Sequence, residues 1–250
     1  MKHERPSILI IAGFDQSAGA GILADVKTAE MHSVYAQAVC TGFTFQNEQR
    51  IDGIHWFSMD EICRQIDLCF ETTFFQWVKI GIGRSAAMLL QIIQHLQQHN
   101  AEIKIVLDPV IRSSGGTDFW NGIDPVAFET VLRQVYLVTP NWNEIEYLYP
   151  EHDVMEKCEA LSVFGNIYLK GGHNPHTPGI DYLWNNGCME MLEPMVKEVF
   201  PKHGSGCVLS SALTANLALG YELPEAAIRS KRYIEQFLNS NSTLLGWHQL

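Results

Sequence analysis

The chain has 250 residues, 46% hydrophobic and 18% charged, the proportions of a globular protein rather than a disordered or repetitive one. A formal charge of -11 argues against non-specific binding to nucleic acid or to an anionic membrane, so an anionic substrate would need local cations and helix N-termini. That length can bury a sizeable core, and with no linker, internal repeat or low-complexity stretch it reads as one domain over residues 1–250.

In MKHERPSILIIAG basic residues precede an apolar run, but the run is too short for a signal sequence and Asp15 follows Gly13 closely. A buried first strand is expected there. Short β-branched runs then alternate with amphipathic stretches, the rhythm of βαβ units. The expected strands are SILIIAG, YAQAVCTGF, WVKIGI, IKIVLDPV, VYLVT and NIYLKG. Helices are expected near residues 18–32, 59–74, 84–99, 124–134 and 141–148, with two more from about 205 to 219 and 223 to 239. DYLWNNGCMEML breaks the rhythm, because an Asn-Gly pair between apolar runs signals a hairpin. Together these elements predict an α/β protein, a three-layer α/β/α sandwich with a mostly parallel central sheet and a small late hairpin, with ligands at the carboxyl ends of its strands. No stretch reaches the roughly 18 uncharged apolar residues of a membrane helix. Cys40, Cys63, Cys69, Cys158, Cys188 and Cys207 contain no C-x-x-C pair or zinc-finger spacing, and are read as free thiols of a cytoplasmic protein.

Chemistry is sought at the strand ends. Gly13 and Asp15 lead into SAGAGILAD, where Gly19 and Gly21 open a helix and Asp25 lies one turn inside it; the segment is either a tight turn with a solvated Asp or a place where a heterocycle approaches the backbone. GIGRSA, Gly81 to Ala86, satisfies a loose G-x-G-x-x-A dinucleotide fingerprint, with Asp108 as its acidic partner, and there is no Walker A sequence. Asp108 before Pro109 either holds magnesium or caps a turn. Asn141 and Glu144 either serve a metal or form a capping box. Lys170, before Gly171 and Gly172, either meets a phosphate or is solvated. In HGSGC, Gly204, Ser205 and Gly206 can turn backbone N–H groups inward at a helix start, forming an anion hole with Cys207 at its floor. There the helix dipole would lower the thiol pKa, unless Cys207 is only core packing.

These segments occur in order over nearly the whole chain: AGFDQSAGAGILADVKT at 12–28, FTFQN at 43–47, VKIGIG at 78–83, VLDPV at 106–110, VTPNWNE at 138–144, LKGGH at 169–173 and HGSGCVLSSA at 203–212. The ordered set resembles the ribokinase-like superfamily and, within it, the hydroxymethylpyrimidine and phosphomethylpyrimidine kinases of thiamine biosynthesis. The resemblance implies an ATP- and Mg2+-dependent kinase acting on a pyrimidine alcohol and working as a homodimer. It implies a pyrimidine near Gly13, between Asp25 and Gln46 and the apolar Ile82 and Val110, its hydroxymethyl arm toward Cys207. It also implies magnesium and nucleotide phosphates served by Asp108, Asn141 and Glu144 (Asp108 and Glu144 as metal ligands), with Lys170 on the phosphates, the backbone of Gly204 to Cys207 cradling the transferred group, and Cys207 as a candidate base. Departures from the family pattern include Phe14, Gln16, Ala18, Ile82, a lysine-free SSGG at 113–116 and Lys202 before HGSGC. They bear on the choice of alcohol, so pyridoxal-type and thiazole kinases remain alternatives, with an NAD-dependent oxidoreductase built on Gly81 to Ala86, or a non-catalytic binding relative, as more distant ones.

Overall fold

The computed structural model describes residues 5–112, 116–120, 122 and 124–249, so most of the SSGG segment lies outside the described residues. In chain order the elements are β1 (Ser7–Phe14), α1 (Gly21–Met31), β2 (Tyr35–Gln46), β3 (Ile51–Trp56), α2 (Met59–Phe70), β4 (Trp77–Ile80), α3 (Ala86–His99), β5 (Lys104–Leu107), α4 (Pro125–Leu132) and β6 (Leu137–Val138). They continue with α5 (Trp142–Leu148), α6 (Val154–Leu161), β7 (Asn166–Leu169), β8 (Asp181–Asn185), β9 (Cys188–Leu192), α7 (Ser205–Ala218) and α8 (Leu223–Leu238).

The strands form one sheet in the order β3-β2-β1-β4-β5-β6-β7-β8-β9. From β2 through β7 neighbouring strands are parallel, and β3, β8 and β9 run antiparallel at the edges. The central strands read as unbroken apolar runs because helices cover both faces. In β1, Leu9 and Ile11 join the core under α2 to α6, while Ile8, Ile10 and Ala12 join the core under α1, α7 and α8. Period-two alternation thus divides one apolar run between two cores and makes the three layers. From β1 the chain moves to β2 on one side, then adds β4 to β7 on the other, so a crevice opens at the carboxyl ends around β1 and β4.

Every expected strand and helix is present, with ends shifted by a few residues, and two elements were not foreseen. β2 continues to Gln46 and turns back as β3, because the Asn47 side chain accepts from the N–H groups of Gln49 and Arg50 and closes the turn without glycine or proline. α6 is short and begins at Asp153, whose carboxylate accepts from the N–H groups of Met155 and Glu156. The Asn-Gly hairpin forms as expected between β8 and β9, with Asn186 at φ 50° and Gly187 at φ 78°.

Candidate active site

The carboxyl ends of five adjacent strands form one ledge, on which the ladder continues past the strands. Gly81 donates to Ile11 O, Asp108 to Ile80 O, Thr139 to Leu107 O and Lys170 to Pro140 O, each at 2.8–2.9 Å. Residues that are far apart in sequence therefore sit side by side, about 4.8 Å per strand. On that ledge the Lys170 ammonium donates to Asp108 Oδ1 at 2.7 Å, with side chains only 13% and 1% exposed. Ser210 of α7 donates to the other oxygen of Asp108 at 3.3 Å. A Cβ placed on Gly206 would lie 3.2 Å from Lys170 Nζ and 3.6 Å from Asp108 Oδ2, so the ion pair lies directly against the first turn of α7.

Two helices start at this point, and neither start is capped by a side chain: α7 after Gly204 and α1 after Ala20. The two starts meet, since the Gly21 N–H of α1 pairs with Cys207 in the first turn of α7, which brings their positive dipole ends together. Gly204 can turn the chain because it takes φ 73°, and a Cβ there would collide with the carbonyl of Gly19. The two loops are joined by His203, whose Nε2 lies 2.9 Å from Asp15 Oδ2. Asp15 also accepts from the N–H groups of Ser17 and Ala20 and from the Ser17 hydroxyl. Burial pushes its carboxyl up, and the bonds from His203, Ser17 and Ala20 outweigh that and hold it low. In the same loop Ala18 takes φ 58°, a conformation glycine adopts without strain.

Cys207 sits between the two helix starts, beside the N–H of Gly21, and its thiol differs from expectation. Burial pushes it up to about 11; Lys79 opposes this, while Asp25 and Asp108 reinforce it. The α7 dipole alone would lower the thiol, but the folded chain encloses it and brings two carboxylates near it.

Asp25 requires the clearest correction. It is fully buried near Cys207 with no solvent-facing surface, and both its oxygens have protein partners: Lys79 Nζ donates to Oδ2 at 2.7 Å and the Ser211 hydroxyl to Oδ1 at 2.7 Å. Lys79 is itself fully buried, and although burial lowers it, the Asp25 and Asp108 carboxylates hold its ammonium protonated. Sequence reading missed Lys79, although a lysine in the apolar run WVKIGI was a signal, because a buried charge demands a partner.

Asn141 and Glu144 form the capping box of α5: Asn141 N donates to Glu144 Oε2 at 2.7 Å, and Glu144 N to Asn141 Oδ1 at 3.0 Å. Burial pushes Glu144 up to about 7, with Lys170 opposing and Asp108 adding to the rise. Its carboxylate is thus structural and still shares the field of the ledge. Both residues line a cavity of about 490 Å³ with Ile111, Arg112, Tyr147 and His173. Gly13 and Ile82 are in contact, since a Cβ on Gly13 would lie 2.8 Å from Ile82 Cγ2. Val110 is half-buried just past Asp108. Gln46 lies at the end of β2, in a cavity of about 230 Å³ lined also by Gln16 of the loop after β1 and by Phe45, Asn47, Arg50 and Asp52. Its Oε1 is buried with no hydrogen-bond partner among the described residues. The dinucleotide alternative fails locally: the helix after GIGRSA is closed by the Ser85 side chain, which accepts from Met88 N, and Leu89 fills the space at Gly83.

Comparison with known proteins gives the family and the fold. The family model described as phosphomethylpyrimidine kinase matches residues 15–249. The chain is 33% identical over 241 residues to a hydroxymethylpyrimidine/phosphomethylpyrimidine kinase of Staphylococcus aureus, covering 92% of this chain and 87% of that one. It is 34% identical over 239 residues to the thiamine biosynthesis bifunctional protein ThiED of Geobacter sulfurreducens, covering 92% of this chain but spanning only 48% of that longer protein. Among solved structures, a phosphomethylpyrimidine kinase from Clostridium difficile aligns with TM-score 0.74 and 32% identity, over 92% of this chain and 98% of that one. The Staphylococcus aureus pyridoxal kinase, solved with AMP-PCP and pyridoxal, aligns with TM-score 0.81 at 23% identity, over 95% of this chain and 89% of that one, which is a likeness of fold.

Proposed function

Because this chain belongs to the phosphomethylpyrimidine kinase family and is an ATP-using phosphotransferase, we propose that it phosphorylates the hydroxymethyl group of 4-amino-5-hydroxymethyl-2-methylpyrimidine, and the monophosphate as a second substrate, in thiamine biosynthesis. The observation that carries the choice of alcohol is Gln46, a buried amide oxygen without a protein donor, suited to an exocyclic amine that a pyridoxal-type alcohol lacks. The apolar Ile82 and Val110 would flank the ring, and Gly13 would let it approach the backbone. A panel of pyrimidine, pyridoxal and thiazole alcohols, assayed with ATP and magnesium, tests the reading, and kcat/KM should be highest for the aminopyrimidine. In the same assay Gln46→Leu should lower kcat/KM for the aminopyrimidine by about 1–3 kcal/mol, roughly 5- to 150-fold, and leave KM for ATP unchanged. Preference for pyridoxal, or a Gln46→Leu enzyme of unchanged pyrimidine kinetics, would refute it.

The chemistry is an in-line transfer of the γ-phosphoryl group of ATP to the substrate hydroxyl. Its loose transition state demands positioning and charge stabilisation more than covalent help. We assign that stabilisation to the backbone N–H groups from Gly204 to Cys207, reinforced by the Lys170 ammonium. The carboxylate oxygens of Asp108 and Glu144, hard donors beside the cavity lined by Asn141, fit magnesium, which would neutralise charge on the nucleotide phosphates. We also infer a homodimer acting in the cytoplasm, to be checked by analytical ultracentrifugation and cell fractionation.

With its thiol pushed up to about 11, Cys207 carries its proton at neutral pH, so we propose that it packs against the hydroxyl without abstracting the proton, which passes to an oxygen of the transferred phosphoryl group as the new O–P bond forms and the bond to ADP breaks. Cys207→Ser should therefore retain turnover within about tenfold, since a lost general base costs on the order of 10²–10⁴-fold. A measured loss in that larger range would restore the base role.

A further inference from the structure

The geometry points to a transition-metal site at the end of the molecule opposite the ledge, formed by Asp67 on α2 with His95 and His99 on α3. α3 starts just after the carboxyl end of β4 and its last turn returns toward the start of β5, so His95 and His99 lie near the amino edge of the sheet. Four residues apart on one helix, the two imidazoles share a face. Both aim Nε2 at a single atom, Asp67 Oδ1, at 2.7 and 2.8 Å. All three donor atoms lie within 4.8 Å of one another. The His99 ring is held in place by stacking on Phe70, with centroids 4.6 Å apart and planes 14° apart. The side chains of Asp67, His95 and His99 are 49%, 20% and 27% exposed, so an ion can reach the donors from solvent.

Two imidazole nitrogens and one carboxylate oxygen with an open solvent side match the three-ligand-plus-water arrangement of zinc. Tetrahedral ligation at about 2.0–2.1 Å spaces donors about 3.3–3.4 Å apart, so the 2.7 and 2.8 Å contacts to Asp67 need to open by roughly 0.5–0.7 Å. The nitrogen donors disfavour magnesium, which takes oxygen, and so separate this site from the phosphate chemistry of the ledge. An ion there would clamp α2 to α3.

The test is zinc chloride titrated into the full-length protein, freed of metal by a chelator, with no nucleotide or magnesium present. Calorimetry should show one equivalent bound, and zinc should raise the melting temperature. In the His95→Gln/His99→Gln variant affinity should fall on the order of 100-fold or more and the thermal shift should vanish, with kinase turnover unchanged. Cys188→Ser, which removes an exposed thiol, should bind zinc as the parent does. Cobalt(II) provides a readout on the unaltered chain, since a tetrahedral site with imidazole ligands gives intense visible absorption that zinc then abolishes. Unchanged zinc affinity in the double variant, or no cobalt spectrum on the parent protein, would overturn the assignment.

Discussion

Lys170→Ala is expected to lower turnover at saturating ATP and pyrimidine by about 10²–10³-fold, the usual cost of removing one preorganised donor from a developing anion. The side chain is poised for that role: it is 13% exposed, held by Asp108 at 2.7 Å, and lies against Gly206 at the start of α7. Because the lysine lies at a strand end and not in either apolar core, the fold should survive, although the buried Asp108 loses its cation and the melting temperature should fall, which a melting curve can check. Steady-state kinetics then decide the matter. Turnover within about threefold of the parent would reduce Lys170 to a partner of Asp108, and phosphate stabilisation would fall to the N–H groups alone.

Lys79→Met should have the largest effect on stability, about 3–5 kcal/mol, because it leaves the Asp25 carboxylate buried without its cation. For a chain of this length that corresponds to a fall in melting temperature of roughly 6–20 °C. The Lys79→Met/Asp25→Leu double variant distinguishes a lost ion pair from simple misfit. Replacing both charges by apolar side chains removes the stranded carboxylate, so most of the lost stability should return. Equal destabilisation of the single and double variants would mean that the cost is one of shape and not of charge.

The legible part of the site consisted of residues whose signal is local. Asp108, Lys170 and HGSGC each follow an apolar strand or open a helix, and the parallel arrangement brings strand ends to one edge wherever the strands fall in sequence. Asn141 and Glu144 were ambiguous because one spacing serves both a capping box and a metal pair, and their reciprocal backbone bonds form the capping box. Asp25 was misread for a different reason: its partner Lys79 is 54 residues away, and no pattern around Asp25 reveals that the intervening chain closes over it. His203 and Asp15, 188 residues apart, were each within quoted motifs but could not be paired.

By itself the sequence determined the layered α/β architecture, the Asn-Gly hairpin and the glycine-opened start of α7, since apolar periodicity, turn chemistry and glycine-rich helix starts act over a few neighbouring residues. Only the tertiary structure decided the return of β2 as β3, the burial of Asp25 with Lys79 and the enclosure that pushes the Cys207 thiol up. Each of these depends on what distant segments place around a residue, and desolvation and charge pairing are properties of that enclosure rather than of the local chain.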